Sequence, residues 1–428
     1  MDDILIRNTL AVLPGEDGPA ASACSVAVKD GRISAILPPE TDCAASVVLD
    51  GRDRLLTPGL VNAHTHVYMT GMRNWADDLS FNDWLFGRVM PKEDAMRPED
   101  AYAFAVVGCL EMLSGGVTAF LDMHMFPGMS ARAALETGMR AVLSRGLSGG
   151  GDDLAGGARR LREAREEYEE FRGEARLGFM LAPHAPYTCS EDYLLQIAEA
   201  AKALGLGIHT HLSETKSEVE NCLAQHGCTP IGLFDRCGLL SEKTVAAHCV
   251  HLTEEDIALL ASRGVSVATN PASNLKLANG VAPVPELLQK GVNVCLGTDS
   301  TASNNSLSVL RELALVTLLH KGRTGDPRSV SAREGFTMAT KAGCRALGLE
   351  GGEIRAGAPA DLALFDLRAP GLVPLGDPVA ALAYSGGALR ADAVLVGGAL
   401  VWRDGKSALV DMERANAEAR AACKRLGM

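Results

Sequence analysis

The sequence has little of what marks membrane, nucleic-acid-binding or secreted proteins. It contains no apolar run near the roughly 20 residues of a membrane-spanning helix. It also has no cluster of lysine and arginine, and its net charge of −12 argues against an anionic polymer or membrane surface as a partner. The acidic start, Met1 to Ile4, lacks the basic and then apolar pattern of a signal peptide. We therefore expect neither nucleic acid nor a membrane as a partner.

Paired cysteine motifs are missing as well. The 11 cysteines are odd in number, scattered, and nowhere spaced as Cys-x-x-Cys. This pattern is typical of reduced, mostly buried thiols and predicts a cytoplasmic protein. Without Pro-Cys-x-x-Cys or His-Glu-x-x-His, the zinc sites of cytidine deaminases and of metalloproteases are both excluded.

The two ends of the chain carry strand patterns. Residues 1–56 contain short apolar runs separated by turns, one of them at Asp30 and Gly31, and no helical periodicity. Strand-like runs return over residues 361–428, which finish in a polar helix at about 412–426. We predict that the two ends complete one small β-module beside the central segment.

Residues 57–360 alternate short apolar strands with amphipathic helices. The predicted strands are Leu60–His66, Thr118–Asp122, Ala141–Arg145, Leu177–His184, Gly207–Leu212, Val245–Val250, Val265–Asn270 and Val292–Asp299. Eight strand–helix units over about 250–300 residues predict a (β/α)8 TIM barrel, of class α/β. A doubly wound open sheet is the alternative, but no early strand is followed by Gly-x-Gly-x-x-Gly.

Histidines gather where such a barrel places its active site, at the carboxyl ends of the strands. Six of the 10 histidines lie at or near these ends: His64, His66, His184, His209, His211 and His248. A strand repeats every two residues, so His64 and His66 share a face. We predict that one divalent metal, most commonly zinc in such a set, is held by His64, His66, His211 and Asp299. We expect His209 to pack or hydrogen-bond rather than ligate.

The same rim offers acid–base groups. A bound metal lowers the pKa of its water toward ~7, and the reaction then needs a proton shuttle. Glu214 follows His211 as His-x-x-Glu and is predicted to be that shuttle, with His248 hydrogen-bonding to the hydroxide and Asp299 accepting its proton. The alternatives are an exposed carboxylate at a helix start for Glu214 and a buried core histidine for His248.

Seven segments together resemble the amidohydrolase superfamily, specifically its S-adenosylhomocysteine / 5′-methylthioadenosine deaminase branch. They are Pro58–His66, Ala76–Leu85, Pro183–Ser190, His211–Glu214, Ala247–His251, Asn270–Leu277 and Gly297–Ser306. The resemblance implies a β-sandwich formed by both chain ends and zinc as the metal. It also implies hydrolytic deamination of an adenosine-like nucleoside to the inosine analogue and ammonia, with Glu214 carrying a proton to N1 of the purine.

The resemblance also implies substrate contacts. Glu93 matches a position that binds ribose hydroxyls, His184 one near the ribose and 5′ substituent, and Trp75 an aromatic near the purine or packed in a lid. Arg145 matches an arginine that pairs with the homocysteine carboxylate. Arg160 is the best match for a second arginine, with Arg159 and Arg162 as competitors. If no second arginine reaches the pocket, methylthioadenosine, 5′-deoxyadenosine and adenosine are equally favoured.

Two other functions stay open at this point. A guanine- or triazine-type aminohydrolase or chlorohydrolase would share the architecture, although a bare heterocycle needs no partner such as Glu93 for a ribose. A catalytically inactive barrel could serve as an assembly subunit, although all predicted ligands and the shuttle are present. Relatives are commonly homo-oligomers, so a homo-oligomer is also an expectation.

Overall fold

The computed structural model describes residues 2–41 and 43–428. In chain order its strands are β1 Asp2–Leu13, β2 Ala20–Lys29, β3 Arg32–Leu37, β4 Ala45–Asp50, β5 Arg54–Pro58, β6 Leu60–Thr65, β7 Val117–His124, β8 Arg140–Leu147, β9 Leu177–Pro183, β10 Gly207–Leu212, β11 Thr244–His248, β12 Ser266–Thr269, β13 Asn293–Leu296, β14 Leu362–Asp366, β15 Ala391–Val396, β16 Ala399–Arg403 and β17 Lys406–Ser407. These strands form two separate sheets.

The α-helices surround and connect the strands. They are α1 Phe81–Trp84, α2 Met90–Ala95, α3 Pro98–Ser114, α4 Met129–Thr137, α5 Leu154–Phe171, α6 Glu191–Leu204, α7 Lys216–His226, α8 Pro230–Arg236, α9 Glu254–Arg263, α10 Pro271–Lys276, α11 Val284–Gln289, α12 Val309–Thr324, α13 Ala332–Ala339, α14 Lys341–Ala346, α15 Pro378–Ser385 and α16 Met412–Leu426. A π-helix spans Leu85–Val89, and short 3-10 helices span Val67–Met72, Pro370–Leu372 and Gly386–Ala388.

The central sheet is the predicted parallel barrel. Its order runs β13-β12-β11-β10-β9-β8-β7-β6, so each strand pairs with its neighbour in sequence. A parallel bridge between Thr65 and Asp299 joins the first strand to the segment after the last. The backbone N–H groups of Thr298 and Asp299 also donate to the carbonyl of His64 at 3.1 and 3.0 Å. The barrel closes at the rim, which confirms the fold class.

Helix caps explain why the connections end where they do. Thr253 and Asp256 form a capping box at the start of α9, as their spacing predicts. Ser190 accepts from the backbone N–H of Tyr193 and so starts α6. Gly205 ends α6 at a φ of 69°, a left-handed conformation that costs a glycine little. The helices return the chain to the start of the next strand. Consecutive strands therefore run parallel, and their carboxyl ends meet at one rim.

The second sheet is built from both chain ends, as predicted. Its order is β17-β16-β15-β14-β5-β1-β2-β3, with β4 paired to β1. The N-terminal β5 lies antiparallel to the C-terminal β14, and both halves contribute side chains to one apolar core of their own. Helix α16 has the bounds expected from the sequence and packs on α3. We propose residues 1–56 and 361–428 as one domain and 57–360 as the other.

The remaining composition-based expectations concern thiols and membranes. Eight of the 11 cysteines are buried thiols: Cys24, Cys109, Cys189, Cys222, Cys237, Cys249, Cys295 and Cys344. Across residues 2–41 and 43–428, no helix has both the length and the apolar character needed to cross a bilayer.

Candidate active site

Imidazole and carboxylate groups converge at the carboxyl rim of the barrel. Ligand atoms of His64, His211, His248 and Asp299 all lie within 4.8 Å of one another. His66 joins this cluster, because its Nε2 lies 3.2 Å from Nε2 of His211 and 3.3 Å from Oδ1 of Asp299. The five side chains come from β6 and the residue after it, β10, β11 and the segment after β13, so barrel closure assembles them.

Backbone carbonyls orient two of the rings. Nδ1 of His66 donates to the carbonyl of Met123 at 2.7 Å, and Nδ1 of His211 donates to the carbonyl of His184 at 2.8 Å. A ring that donates from Nδ1 keeps the lone pair of Nε2 available, which is the usual arrangement of a metal-ligating histidine. Both Nε2 atoms face the centre of the cluster.

A three-residue relay orients the third ring. The hydroxyl of Ser144 donates to the carbonyl of Asp122 at 2.7 Å, so it accepts from Nδ1 of His209 at 2.8 Å. Nε2 of His209 is then unprotonated and accepts from Nδ1 of His64 at 2.8 Å. This leaves Nε2 of His64 without a proton, and it is a buried atom with no hydrogen-bond partner in the described chain. The hydrogen-bonding role predicted for His209 is confirmed.

The carboxylate of Asp299 is fixed from behind. Its Oδ2 accepts from the hydroxyls of Ser273 and Ser303 at 2.6 and 2.7 Å, while Oδ1 lies 3.4 Å from Nε2 of His64. Asp299 has a φ of 57° and His248 a φ of 71°, and non-glycine residues with such angles cluster at functional sites. The backbone thus holds strained residues where their side chains face the cluster.

Burial sets the charge of the cluster. It lowers the pKa of His64 to about 4 and the pKa of His211 well below its usual value, so both rings are neutral at pH 7. Burial alone would raise the pKa of Asp299, but its histidine neighbours, among them His248 with its raised pKa, hold that pKa well below its usual range. Neutral imidazoles and an ionised carboxylate are the protonation states that bind a divalent cation.

Glu214 and His248 form a second pair beside the cluster. Oε1 of Glu214 accepts from the amide of Asn279 at 2.9 Å, and Oε2 lies 3.8 Å from Nε2 of His248. Nδ1 of His248 donates to Oδ1 of Asn274 at 2.8 Å, which turns Nε2 toward the site. Burial raises the pKa of Glu214, while the carboxylates of Glu214 and Asp299 overcome burial to raise the pKa of His248. Glu214 and His248 are therefore a buried acid–base pair between which a proton can move.

A carboxylate outside the cluster holds the loop that carries Glu214. The side chain of Glu218 accepts from the backbone N–H groups of Ser213 and Glu214 at 2.7 and 2.8 Å. Burial raises the pKa of Glu218 to about 7. Glu214 therefore projects from a fixed backbone. The alternative of an exposed carboxylate at a helix start does not hold, because Glu214 is only 5% exposed.

A cavity opens above the cluster. Its polar lining consists of His66, Tyr68, Glu93, His184, Tyr187, His211, Glu214, His248, Asp299 and Ser300, and its apolar lining of Met69, Phe81, Trp84, Leu85, Met123 and Met125. The hydroxyl of Tyr68 donates to the carboxylate of Glu93, whose pKa burial raises. The lining combines apolar side chains with a few polar groups, as small-molecule sites commonly do.

Three residues predicted to contact the substrate lie outside this lining. Trp75 is stacked under the cations of Arg88 and Lys92, with 5.4 and 5.2 Å to the ring centre. Nη1 of Arg160 donates to the carbonyl of Ser148 at 3.0 Å and lies 2.7 Å from Oδ2 of Asp153. Arg145 pairs with a glutamate behind the wall. The substrate contacts of Trp75, Arg145 and Arg160 stay predictions.

The competing arginines are further from the cavity. The side chains of Arg159 and Arg162 are 58% and 63% exposed and pair with acidic residues one turn on along α5. Sequence reasoning missed Trp84, Tyr68, Phe81 and Tyr187, which do line the cavity. The segments that carry the family resemblance contain Phe81, Trp84 and Tyr187. Their position in those segments was the one signal in the sequence that could have identified them as cavity residues.

The donor set fits a divalent metal. Three rings present unprotonated Nε2 atoms, one of which has no other partner, and an ionised carboxylate faces them. Mixed nitrogen and oxygen donors of this kind suit zinc and neighbouring divalent ions. The site combines these donors with a buried acid–base pair at the floor of the cavity.

Comparisons with known proteins agree with this geometry. The sequence profile of the amidohydrolase family matches residues 55–401. A protein of Moorella thermoacetica named 5-methylthioadenosine/S-adenosylhomocysteine deaminase is 43% identical over 425 residues, 98% of each chain. A 5′-deoxyadenosine deaminase of Methanothermobacter thermautotrophicus is 42% identical over 92% of this chain and 94% of its own. The crystal structure of an adenosine deaminase from Xanthomonas campestris with bound zinc superposes with a TM-score of 0.93 at 33% identity, covering 100% of this chain and 99% of the other.

Proposed function

This chain belongs to the amidohydrolase family, and we propose that it is a metal-dependent deaminase that converts an adenosine-type nucleoside to its inosine analogue and ammonia. The observation that carries this proposal is the buried cluster of imidazoles and carboxylates on the floor of the cavity. Relatives that match nearly the whole chain carry the names of nucleoside deaminases. The same comparisons weigh against an inactive assembly subunit.

We propose that one divalent metal, most commonly zinc, is held by His64, His66, His211 and Asp299. The hydrogen bonds of His66 and His211 to backbone carbonyls, and of His64 to His209, support this assignment. They fix the direction of each ring and leave its Nε2 unprotonated. His248 belongs to the same cluster and is proposed as the neighbour that orients water rather than a ligand. When bound, the metal would supply a Lewis acid that lowers the pKa of a coordinated water.

Glu214 is proposed as the proton carrier. Its raised pKa favours the uptake of a proton, which it can then give to N1 of the purine. Asn279 holds one of its oxygens at 2.9 Å, so the other oxygen is the one that exchanges protons. His248 and the ionised Asp299 stand beside it and can accept and return a proton during the release of ammonia.

The cavity wall is proposed to orient the nucleoside. The purine can pack against the apolar side chains of Phe81, Trp84 and Leu85. The carboxylate of Glu93 can accept hydrogen bonds from ribose hydroxyls, and Tyr68 fixes its direction. A guanine- or triazine-type reaction would leave Glu93 without such a partner, so these remain second candidates.

The experiment is a substrate panel on purified, zinc-loaded protein. The absorbance change from adenine to hypoxanthine and ammonia release would give kcat/KM for S-adenosylhomocysteine, methylthioadenosine, 5′-deoxyadenosine and adenosine, with guanine and a triazine as the alternatives. We expect turnover of at least one nucleoside and none of guanine or the triazine. Turnover of only a bare heterocycle would overturn the proposal. A cytoplasmic location and a homo-oligomeric state stay predictions.

A further inference from the structure

One charged side chain lies just behind the cavity wall. Arg145, on β8, has a side chain that is only 7% exposed, and its Nη1 contacts the sulfur of Met125 at 3.4 Å. Met125 in turn lines the cavity. A guanidinium stays charged in proteins, so a buried one needs a counter-charge and hydrogen-bond acceptors.

Glu163 supplies that counter-charge from α5. Its Oε2 lies 3.1 Å from Nη2 and 3.3 Å from Nε of Arg145, while Nη1 of the arginine donates to the carbonyl of Gly146 at 2.8 Å. The side chain of Glu163 is 27% exposed, so solvent screens this pair only in part. Each of the three guanidinium nitrogens therefore has a partner within the protein.

The helix that carries Glu163 is locked in position. Glu167, one turn further on the same face of α5, accepts from the backbone N–H of Gly128 at 2.7 Å through Oε1. Its Oε2 lies 3.0 Å from Nε2 of His124, and both of these side chains are buried. Since residues four apart share a helix face, the anchoring of Glu167 also fixes Glu163 beside Arg145.

The described residues that line the cavity include no lysine or arginine that could pair with a substrate carboxylate. The fully charged types among them are Glu93, Glu214 and Asp299. We infer that Glu163 is a specificity-determining residue: by neutralising Arg145 it denies a substrate carboxylate its cationic partner, so the site favours nucleosides with an uncharged 5′ substituent. This inference rests on the proposed deaminase function.

The test compares a charged with an uncharged 5′ thioether. The ratio of kcat/KM for S-adenosylhomocysteine to that for methylthioadenosine would be measured by absorbance in zinc-loaded wild type, Glu163→Gln, and Glu163→Gln combined with Arg145→Gln. We expect the wild type to favour methylthioadenosine. Glu163→Gln should raise the ratio ~10-fold through a lower KM for S-adenosylhomocysteine, since one charge-assisted hydrogen bond becomes available. The added Arg145→Gln should cancel that gain.

The matched control is Glu166→Gln, also on α5. Glu166 is 69% exposed and pairs with Arg162, so this change removes the same charge without touching Arg145. It should leave the ratio at the wild-type value, and turnover of methylthioadenosine reports that each variant is folded. An unchanged ratio in an active Glu163→Gln overturns the inference alone. A wild type that deaminates neither nucleoside overturns the proposed function and the inference with it.

Discussion

His209 offers a sharp test of how the metal site is built, because it touches no proposed substrate and ligates no metal in our assignment. We predict that His209→Met weakens metal binding while His209→Gln largely preserves it. The amide oxygen of a glutamine can stand where Nε2 of His209 accepts from Nδ1 of His64, whereas methionine has a similar size and no comparable acceptor. The two variants therefore differ in one hydrogen bond.

The magnitude follows from the contacts. In His209→Met the Nδ1–H of His64 loses its 2.8 Å partner in a fully buried setting, and an unmet buried donor costs about 1–3 kcal/mol. The ring can avoid this cost only by moving its proton or turning, and either change removes Nε2 from the ligand set. Loss of a partner behind a ligand typically lowers metal affinity ~10–100-fold, and we expect a loss in that range.

The assay is competition between the protein and a chromogenic zinc chelator. Apparent affinities would be compared for wild type, His209→Met and His209→Gln, and the melting temperatures of the metal-free proteins would show whether a variant is damaged as a whole. Wild-type affinity in His209→Met, or weaker binding in His209→Gln than in His209→Met, would refute the relay from Ser144 through His209 to His64.

The other predictions concern the shuttle, the carboxylate ligand, the metal and the anchor of α5. Glu214→Gln should keep its zinc and lose ~10²–10⁴-fold in kcat, and near-normal turnover would remove Glu214 from the mechanism. Asp299→Ala should lose both metal and activity, so a folded, zinc-replete variant would count against ligation. Removal of the metal by a chelator should abolish deamination until zinc is returned, and activity that persists in metal-free protein would contradict the proposal. Glu167→Ala should lower the free energy of unfolding by about 1–3 kcal/mol, because the N–H of Gly128 loses its acceptor, and an unchanged denaturant midpoint would argue otherwise.

The barrel and its cluster could be predicted because strand geometry dictates both. His64 with His66 and His209 with His211 are two residues apart, and parallel strands in a closed barrel bring their carboxyl ends to one rim. What the pattern could not show was which ring nitrogen faces the centre. That choice depends on acceptors distant in sequence, such as the carbonyl of Met123 for His66.

The cavity wall was harder to predict because loops and helices build it. Trp75 and Trp84 lie nine residues apart in the sequence. The path of the chain through α1 and the π-helix places Trp84 against the cavity and leaves Trp75 outside its lining. No hydrophobic periodicity in the sequence specifies that path of the chain. The partners of the arginines were hard to predict for the same reason, because the pairing of Arg145 with Glu163 depends on the register of α5.

The metal chemistry and the substrate preference of the site depend on different parts of the structure. The reacting groups depend on strand ends and on buried hydrogen bonds to neighbouring strands, so they are held by the same contacts that close the barrel. The charge near the 5′ end of the substrate is proposed to depend on Glu163 of α5, and the register of that helix depends on Glu167 and its partners. A change at Glu163 can then alter which nucleoside is preferred without disturbing the cluster, whereas a change at His209 cannot avoid disturbing it. Substrate preference can therefore diverge within this architecture while the metal chemistry stays the same.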